Sequence, residues 1–295
     1  MTRKDAFATY LELRESTSTG EVGAGLSHSA AGLVLLHVLE VAAHGEPRGI
    51  VTVLHDAGDH GARYEELAQA LAELGWAVAL PDLRGHGRSE GEKGHSNGIR
   101  EVLRDLEEIE NHLAYRLPEA PRVIVGQGLG ALYALAYAVE NPGQLSALVL
   151  AAPLFEPTFE LPAPKKGLMG MLGKKVGPKS EGRIPWTSQD RLGNDSARAA
   201  WSADERAHEV ITVAAAEHAA QAAKTYRARL AELRIPVLVL QGGADPIAAP
   251  AVARSLTGPR IEVTEFAGAR HDVLHDAAAE ATAALAAWLD RQVPK

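Results

Sequence analysis

Apolar positions along the chain follow two rhythms. Short β-branched or aliphatic runs read as buried strands, and stretches with apolar residues every three or four positions read as helices. "GIVTVL" (49–54) is the first clear strand. Tyr64, Leu67, Ala68, Leu71 and Leu74 then recur at helical spacing, and Gly75 is placed to end that helix. "WAVAL" (76–80) is the next strand, stopped by Pro81. Ile99, Val102, Leu103, Leu106, Ile109 and Leu113 mark one face of a long helix. "RVIV" (122–125) predicts a strand and Leu129 to Val139 a helix, closed by Asn141, Pro142 and Gly143. "SALVLAA" (146–152), a strand within "IPVLVLQGGAD" (235–245) and "RIEVTEF" (260–266) continue the series. An alanine-rich helix from Ala277 to Leu289 closes it, with Leu285, Trp288 and Leu289 turned inward. Alternating buried strands and helices predict an α/β fold with a mostly parallel central sheet flanked by helices.

The rhythm fails in two places. Residues 1–30 are weakly patterned and read as an N-terminal extension. "AAGLVLLHVLEVAA" (30–43) follows; it contains His37 and Glu40, is shorter than a membrane span, and reads as a buried strand or a short helix. Periodicity also breaks over 153–230, where Pro, Gly and Lys are interspersed with Leu168, Met169, Met171, Leu172 and Trp186. A helix from Glu205 to about Leu230 is expected at its end. An irregular insert of this length in a regular sheet protein is expected to serve as a lid or cap over the strand ends. The expected organisation is an extension (1–30), a core built from 31–152 and 231–295, and an inserted cap (153–230).

Composition narrows the function. The 295 residues are 46% hydrophobic and 23% charged, as in an ordinary globular protein, with a formal net charge of −8. That charge offers no basic footprint for nucleic acid. The absence of cysteine excludes disulfides, thiolate nucleophiles and Cys-ligated metal. "MTRKDAFATYLELRES" has no apolar core followed by a cleavage site, so a cytoplasmic location is the default expectation. The twelve histidines do not form the HExxH zinc spacing, and no metal or cofactor is expected. Gly126, Gly128 and Gly130 have the wrong third spacing for dinucleotide binding.

Three loops at strand ends carry the candidate chemistry. They hold the turn at Gly128, Asp245 in "GGAD", and His271 in "GARHDVLH". Sites in open parallel sheets form outside the carboxyl ends of the strands. Asp245 is suited to accept the Nδ1–H of His271 and fix its tautomer, which aims Nε2 at position 128.

"HDAGDHGARYEELAQAL", "PDLRGHGRSEGEKGH", "GQGLGA", "PVLVLQGGADPI" and "GARHDVLHD" together resemble the α/β-hydrolases, and within them the monoacylglycerol lipase and lysophospholipase-like (serine aminopeptidase S33-type) group. The resemblance covers about Gly49 to Leu289 and is weakest across the insert. It implies hydrolysis of lipid-like carboxylic esters, with Asp245 as triad acid, His271 as triad base, and the N–H groups of Ala57 and Leu129 as the oxyanion hole. It also implies a serine at 128, where the chain has glycine within Gly126-Gln127-Gly128-Leu129-Gly130. Two further departures stand nearby. Gln127 replaces the usual histidine, and the oxyanion loop begins His55-Asp56 rather than His-Gly.

Glycine supplies no attacking atom, so the covalent route is closed. Weak or absent ester hydrolysis is the first expectation, with a water in the vacated space activated by His271. A non-catalytic binder of an acyl or other apolar ligand is the second. An active serine esterase whose nucleophile has been exchanged for Gly128 is the third. Asp56 has several open roles: repelling a developing oxyanion, pairing with a cation, binding a polar ligand group, or bonding within its own loop. His55 and His86 are expected to support loop geometry. His60 and Arg63 are candidates for a pocket entrance, and Asp272 and His275 for surface or supporting positions. Lys165, Lys166, Lys174, Lys175 and Lys179, with the insert's apolar residues, suggest peripheral membrane contact.

Overall fold

The computed structural model describes residues 6–14, 33–158 and 181–294. Its centre is an eight-stranded sheet. The strands are β1 (Ala6–Arg14), β2 (Leu33–Val41), β3 (Gly49–Leu54), β4 (Trp76–Pro81), β5 (Arg122–Gln127), β6 (Ala147–Ala151), β9 (Val237–Gly242) and β10 (Ile261–Phe266). They are ordered β1-β2-β4-β3-β5-β6-β9-β10. β3, β4, β5, β6, β9 and β10 run parallel, while β1 and β2 add an antiparallel hairpin at one edge. Strands β3, β6 and β9 are buried along their whole length, which explains their unbroken apolar runs.

Helices cover both faces. α2 (Ile99–Arg116), α3 (Leu129–Glu140) and α6 (Val213–Arg229) share one apolar cluster with the sheet. α1 (Glu65–Glu73) and α7 (Ala278–Gln292) pack on the other face, where Leu71, Trp76, Leu285, Trp288 and Leu289 meet. α3 is buried at every position but its last, as a helix wedged between the sheet and α2 and α6 must be.

Three expectations change. Within the presumed extension, Ala6–Arg14 forms a strand paired residue for residue with β2, because its alternating apolar positions find a partner beyond the reach of local pattern. The 30–43 stretch contributes β2, settling strand over helix. The helix expected from Glu205 begins only at Val213. Val210–Thr212 is β-branched and forms β8, paired with β7 (Glu181–Arg183), and the Thr212 side chain accepts from Ala215 N–H to cap α6. Two short helices, α4 (Ser188–Arg191) and α5 (Asp195–Ala203), precede it. The insert's lysines from 165 to 179 and its Leu and Met residues from 168 to 172 lie outside the described residues. No helix among the described residues is long and apolar enough to cross a membrane.

Candidate functional site

The turn between β5 and α3 puts Gly128 at φ 55° and ψ −112°. Side chains other than glycine rarely adopt that conformation, so Gly128 removes the strain of a sharp strand-to-helix turn. Its N–H bonds Ala151 O at 2.9 Å, fixing the turn to the end of β6. Asp245 follows β9. Its Oδ1 accepts from Ile247 N–H at 2.7 Å and Ala248 N–H at 2.9 Å, and its Oδ2 from Gln241 Nε2 at 2.9 Å. His271 donates from Nδ1 to the same Oδ2 at 2.9 Å, the orientation expected from sequence. Gln127 Nε2 donates to His271 O at 2.8 Å, so the residue before the turn anchors the histidine's backbone.

The space at the turn is not open to water. Asp56 fills it. A Cβ built on Gly128 would collide with Asp56 Oδ1 and Cγ and would lie 2.9 Å from Oδ2. Asp56 Oδ1 accepts the Leu129 N–H at 2.8 Å, so one of the two backbone donors assigned to an oxyanion is already occupied by a carboxylate. Asp56 Oδ2 stands 3.4 Å from His271 Nε2, an ion-pair distance. The expectation of a His271-bound water at this position is therefore replaced by an internal carboxylate. Asp56 neither faces solvent nor satisfies its own loop; it pairs with cations, one of the roles left open above.

The second cation is Arg191, at the end of α4. Its Nη1 donates to Asp56 Oδ2 at 2.9 Å and its Nη2 to Ala57 O, while its guanidinium lies 5.3 Å from the Trp201 ring centre. Asp272 N–H donates to Arg191 O at 2.9 Å, tying the same residue to the His271 loop. Arg191 is 1% exposed and Asp56 and His271 are 0% exposed, so the ion network is sealed from water. Sequence reasoning missed Arg191. In "SQDRLGND" it is one arginine in a polar stretch, with no local mark separating it from a surface residue.

The charge states follow from this arrangement. Burial alone would favour a neutral imidazole, but the Asp245 and Asp56 carboxylates on its two nitrogens push His271 up to about 10. Burial opposes the Asp56 charge, but Arg191, His271 and the Leu129 N–H hold its carboxyl well below the usual carboxylate range. Two carboxylates and two cations leave the network neutral. A raised folded-state pKa makes the His271 contribution to stability complete below about pH 6.5 and lost as pH rises through about 10. Titration of the His271 ring by NMR is expected to show imidazolium at pH 8, and Asp56→Asn is expected to lower its midpoint. A neutral ring at pH 8 contradicts the assignment.

The other candidates are placed plainly. His55 donates from Nδ1 to Asp56 O at 2.7 Å and accepts Leu83 N–H on Nε2 at 2.9 Å, so it shapes the loop that carries Asp56. Burial, aided by His86, pushes His55 down to about 3, consistent with that neutral tautomer. His86 donates from Nδ1 to Arg84 O at 3.0 Å and packs, with tilted rings, between His55 and His208. His60 and Arg63 border a wide surface cleft, together with Glu66, Asn194 and His275. His60 pairs with Asp204 at 2.7 Å and Arg63 with Asp59 at 2.8 Å. Asp272 is wholly buried rather than on the surface and pairs with His275 at 2.8 Å. Ser89 Oγ is spent on Asp82 O and His37 N–H. No group of three or more metal-ligating side chains occurs among the described residues.

Two small apolar cavities meet at Ala57 and Leu129. One, about 30 Å³, also touches Leu83, His86, Val102 and Tyr133. The other, about 20 Å³, touches Leu132, Leu154, Trp186 and Ala219. Trp186 faces the imidazole, with ring centres 6.3 Å apart.

Comparison with known proteins agrees with this framework. The profile of the family described as serine aminopeptidase, S33, matches residues 45–278. A monoglyceride lipase of Rattus norvegicus is 32% identical over 203 residues, 68% of this chain and 66% of that protein. The match thus spans just under two thirds of the rat protein's length. A monoacylglycerol lipase of Mycolicibacterium smegmatis is 26% identical over 242 residues, 78% of this chain and 84% of that protein. The crystal structure of Paleococcus ferrophilus monoacylglycerol lipase superimposes with a TM-score of 0.74 at 22% identity, covering 87% of this chain and 99% of that one. At that identity the likeness speaks for the fold.

Proposed function

This chain belongs to the serine aminopeptidase S33 family of α/β-hydrolases and is related to monoacylglycerol lipases, and we propose that within that group it binds an apolar, acyl-bearing ligand without hydrolysing it. The observation that carries this reading is the Asp56 carboxylate standing where a side chain at 128 would project. Gly128 takes the place of a serine, and Asp56 takes up the room and the Leu129 N–H that a serine and its oxyanion would use. Covalent catalysis then lacks an attacking atom. General-base catalysis also fails, because a protonated imidazole cannot accept a proton from water. The close fit of Asp56 against Gly128 supports glycine as this chain's own residue rather than an exchanged serine, since a serine at 128 and Asp56 in its present position exclude each other.

The insert serves as the lid in this reading. It delivers Arg191 to Asp56 and places Trp186, Ile211 and Ala219 against the apolar cavities. As they stand those cavities hold little more than a water molecule each. Room for an acyl chain requires the two cavities to join at Ala57 and Leu129, which line both. The test is hydrolysis of p-nitrophenyl acetate, butyrate and octanoate, and of a monoacylglycerol, by the protein and by His271→Ala. Both are expected to run at the buffer rate, while octanoic acid esters bind saturably. A rate that rises with protein concentration and disappears in His271→Ala overturns the proposal.

A further inference from the structure

The far end of the sheet holds another cavity, of about 260 Å³, among Phe7, Ile50, Ala77, Val78 and Leu113, with Glu40 and Arg116 in its wall. It lies at the start of the parallel strands β3 and β4 and at the C-terminal end of α2. The candidate site uses the opposite strand ends, and α2 links the two regions. Its residues Glu101 and Val102 border the small cavity beside Leu129, while Leu113 and Arg116 border this one. Arg116 lies fifteen positions after Glu101, about 22 Å along the helix at 1.5 Å per residue.

The cavity is large enough for a ligand; an apolar cavity of about 150 Å³ already takes benzene. Most of its lining is aliphatic, which sets the body of the ligand. The polar end sets the head. Glu40 is 7% exposed. Its Oε1 accepts from Thr9 Oγ1 at 2.7 Å and faces His112 Nε2 at 3.2 Å, and its Oε2 accepts from Arg116 Nη1 at 2.6 Å. Arg116 lies across the Phe7 ring, 4.8 Å from its centre, with its side chain 45% exposed. Among the described residues, Oε2 accepts one hydrogen bond of the two it has room for, from Arg116 Nη1, and Glu40 and Arg116 both line the cavity. A lone-pair acceptor next to a guanidinium donor matches an alcohol, whose O–H donates to the first and whose oxygen accepts from the second. A carboxylate head would meet the Glu40 charge, and an ammonium head would meet Arg116.

We propose that this cavity is a binding site for an uncharged amphiphile with an aliphatic body and a single hydroxyl head. The site is independent of the Asp56 network and of the function proposed for it. The test uses three probes of one chain length, n-octanol, n-octanoate and n-octylammonium, titrated calorimetrically into the full-length protein at pH 7.5. Octanol is expected to bind one-to-one and at least about 10-fold tighter than either charged probe, a difference of about 1.4 kcal/mol. Ala42 lines the cavity and is exposed, so Ala42→Trp is expected to weaken octanol at least about 10-fold with an unchanged melting temperature. Arg116→Met is expected to erase the preference for octanol over octylammonium. Failure of octanol to saturate, tightest binding of a charged probe, or octanol binding indifferent to Ala42→Trp overturns the proposal; in the last case the alcohol occupies another cavity.

Discussion

Gly128→Ser alone is expected to leave ester hydrolysis at background, whereas Gly128→Ser combined with Asp56→Gly is expected to raise it by at least about 10²-fold. Serine introduced against the present Asp56 places its Cβ on the carboxylate, so either the hydroxyl is displaced from His271 or the loop is forced away from Leu129. Removing Asp56 changes three things together. It frees the volume at 128, releases the Leu129 N–H for an oxyanion, and strips His271 of one of the two carboxylates that keep it protonated. The imidazole then moves toward neutral pH, where it can act as a base, while Asp245 still holds its Nδ1. Glycines at 56 and 128 together are expected to stay inactive, for want of a nucleophile. The check is initial rates on p-nitrophenyl butyrate for the protein, both single variants and the double variant. A large gain from Gly128→Ser by itself would mean that Asp56 swings aside at little cost, and the reading of an internally filled site would fall.

The second large effect is on stability. Arg191→Met is expected to cost about 3 kcal/mol, because it leaves the wholly buried Asp56 carboxylate with His271 as its only cationic partner at 3.4 Å among the described residues. For a chain of 295 residues that corresponds to a melting point lowered by roughly 5 °C. Asp56→Gly in the Arg191→Met background is expected to recover part of the loss, since the orphaned charge goes with it. Chemical denaturation of the four members of this cycle measures the coupling. Additive costs would show that Arg191 acts through its bond to Ala57 O and its packing on Trp201 rather than through Asp56. A strong coupling would instead mark Asp56 and Arg191 as one unit, in which the residue from the insert compensates a carboxylate brought into the core.

Much of the molecule is written locally. β3 and the start of α2 are where apolar runs and helical spacing put them, because a buried parallel strand must be apolar on both faces and an amphipathic helix must repeat near 3.6 residues. The pairing of Asp245 with His271 was also legible, since two polar residues in loops after parallel strands are carried to the same sheet edge by the topology itself. β1 was not legible, because its pairing with β2 crosses residues 15–32 and depends on a partner rather than on its own pattern. The end of the insert was misread for a related reason: Val210–Thr212 is a strand only because Glu181–Arg183 lies beside it.

The sequence by itself determined that no serine stands at the tip of the turn and that an aspartate stands in the facing loop; both are facts of identity. What joins them was decided only by the tertiary structure. Positions 56, 128 and 191 are far apart along the chain, and nothing in the neighbours of Arg191 marks it as buried. Whether an aspartate repels, binds or fills depends on the distances to its neighbours and on the water excluded around it. The fold set those distances when it packed the end of α4 against the loop after β3 and closed a neutral network of four charges over an absent side chain.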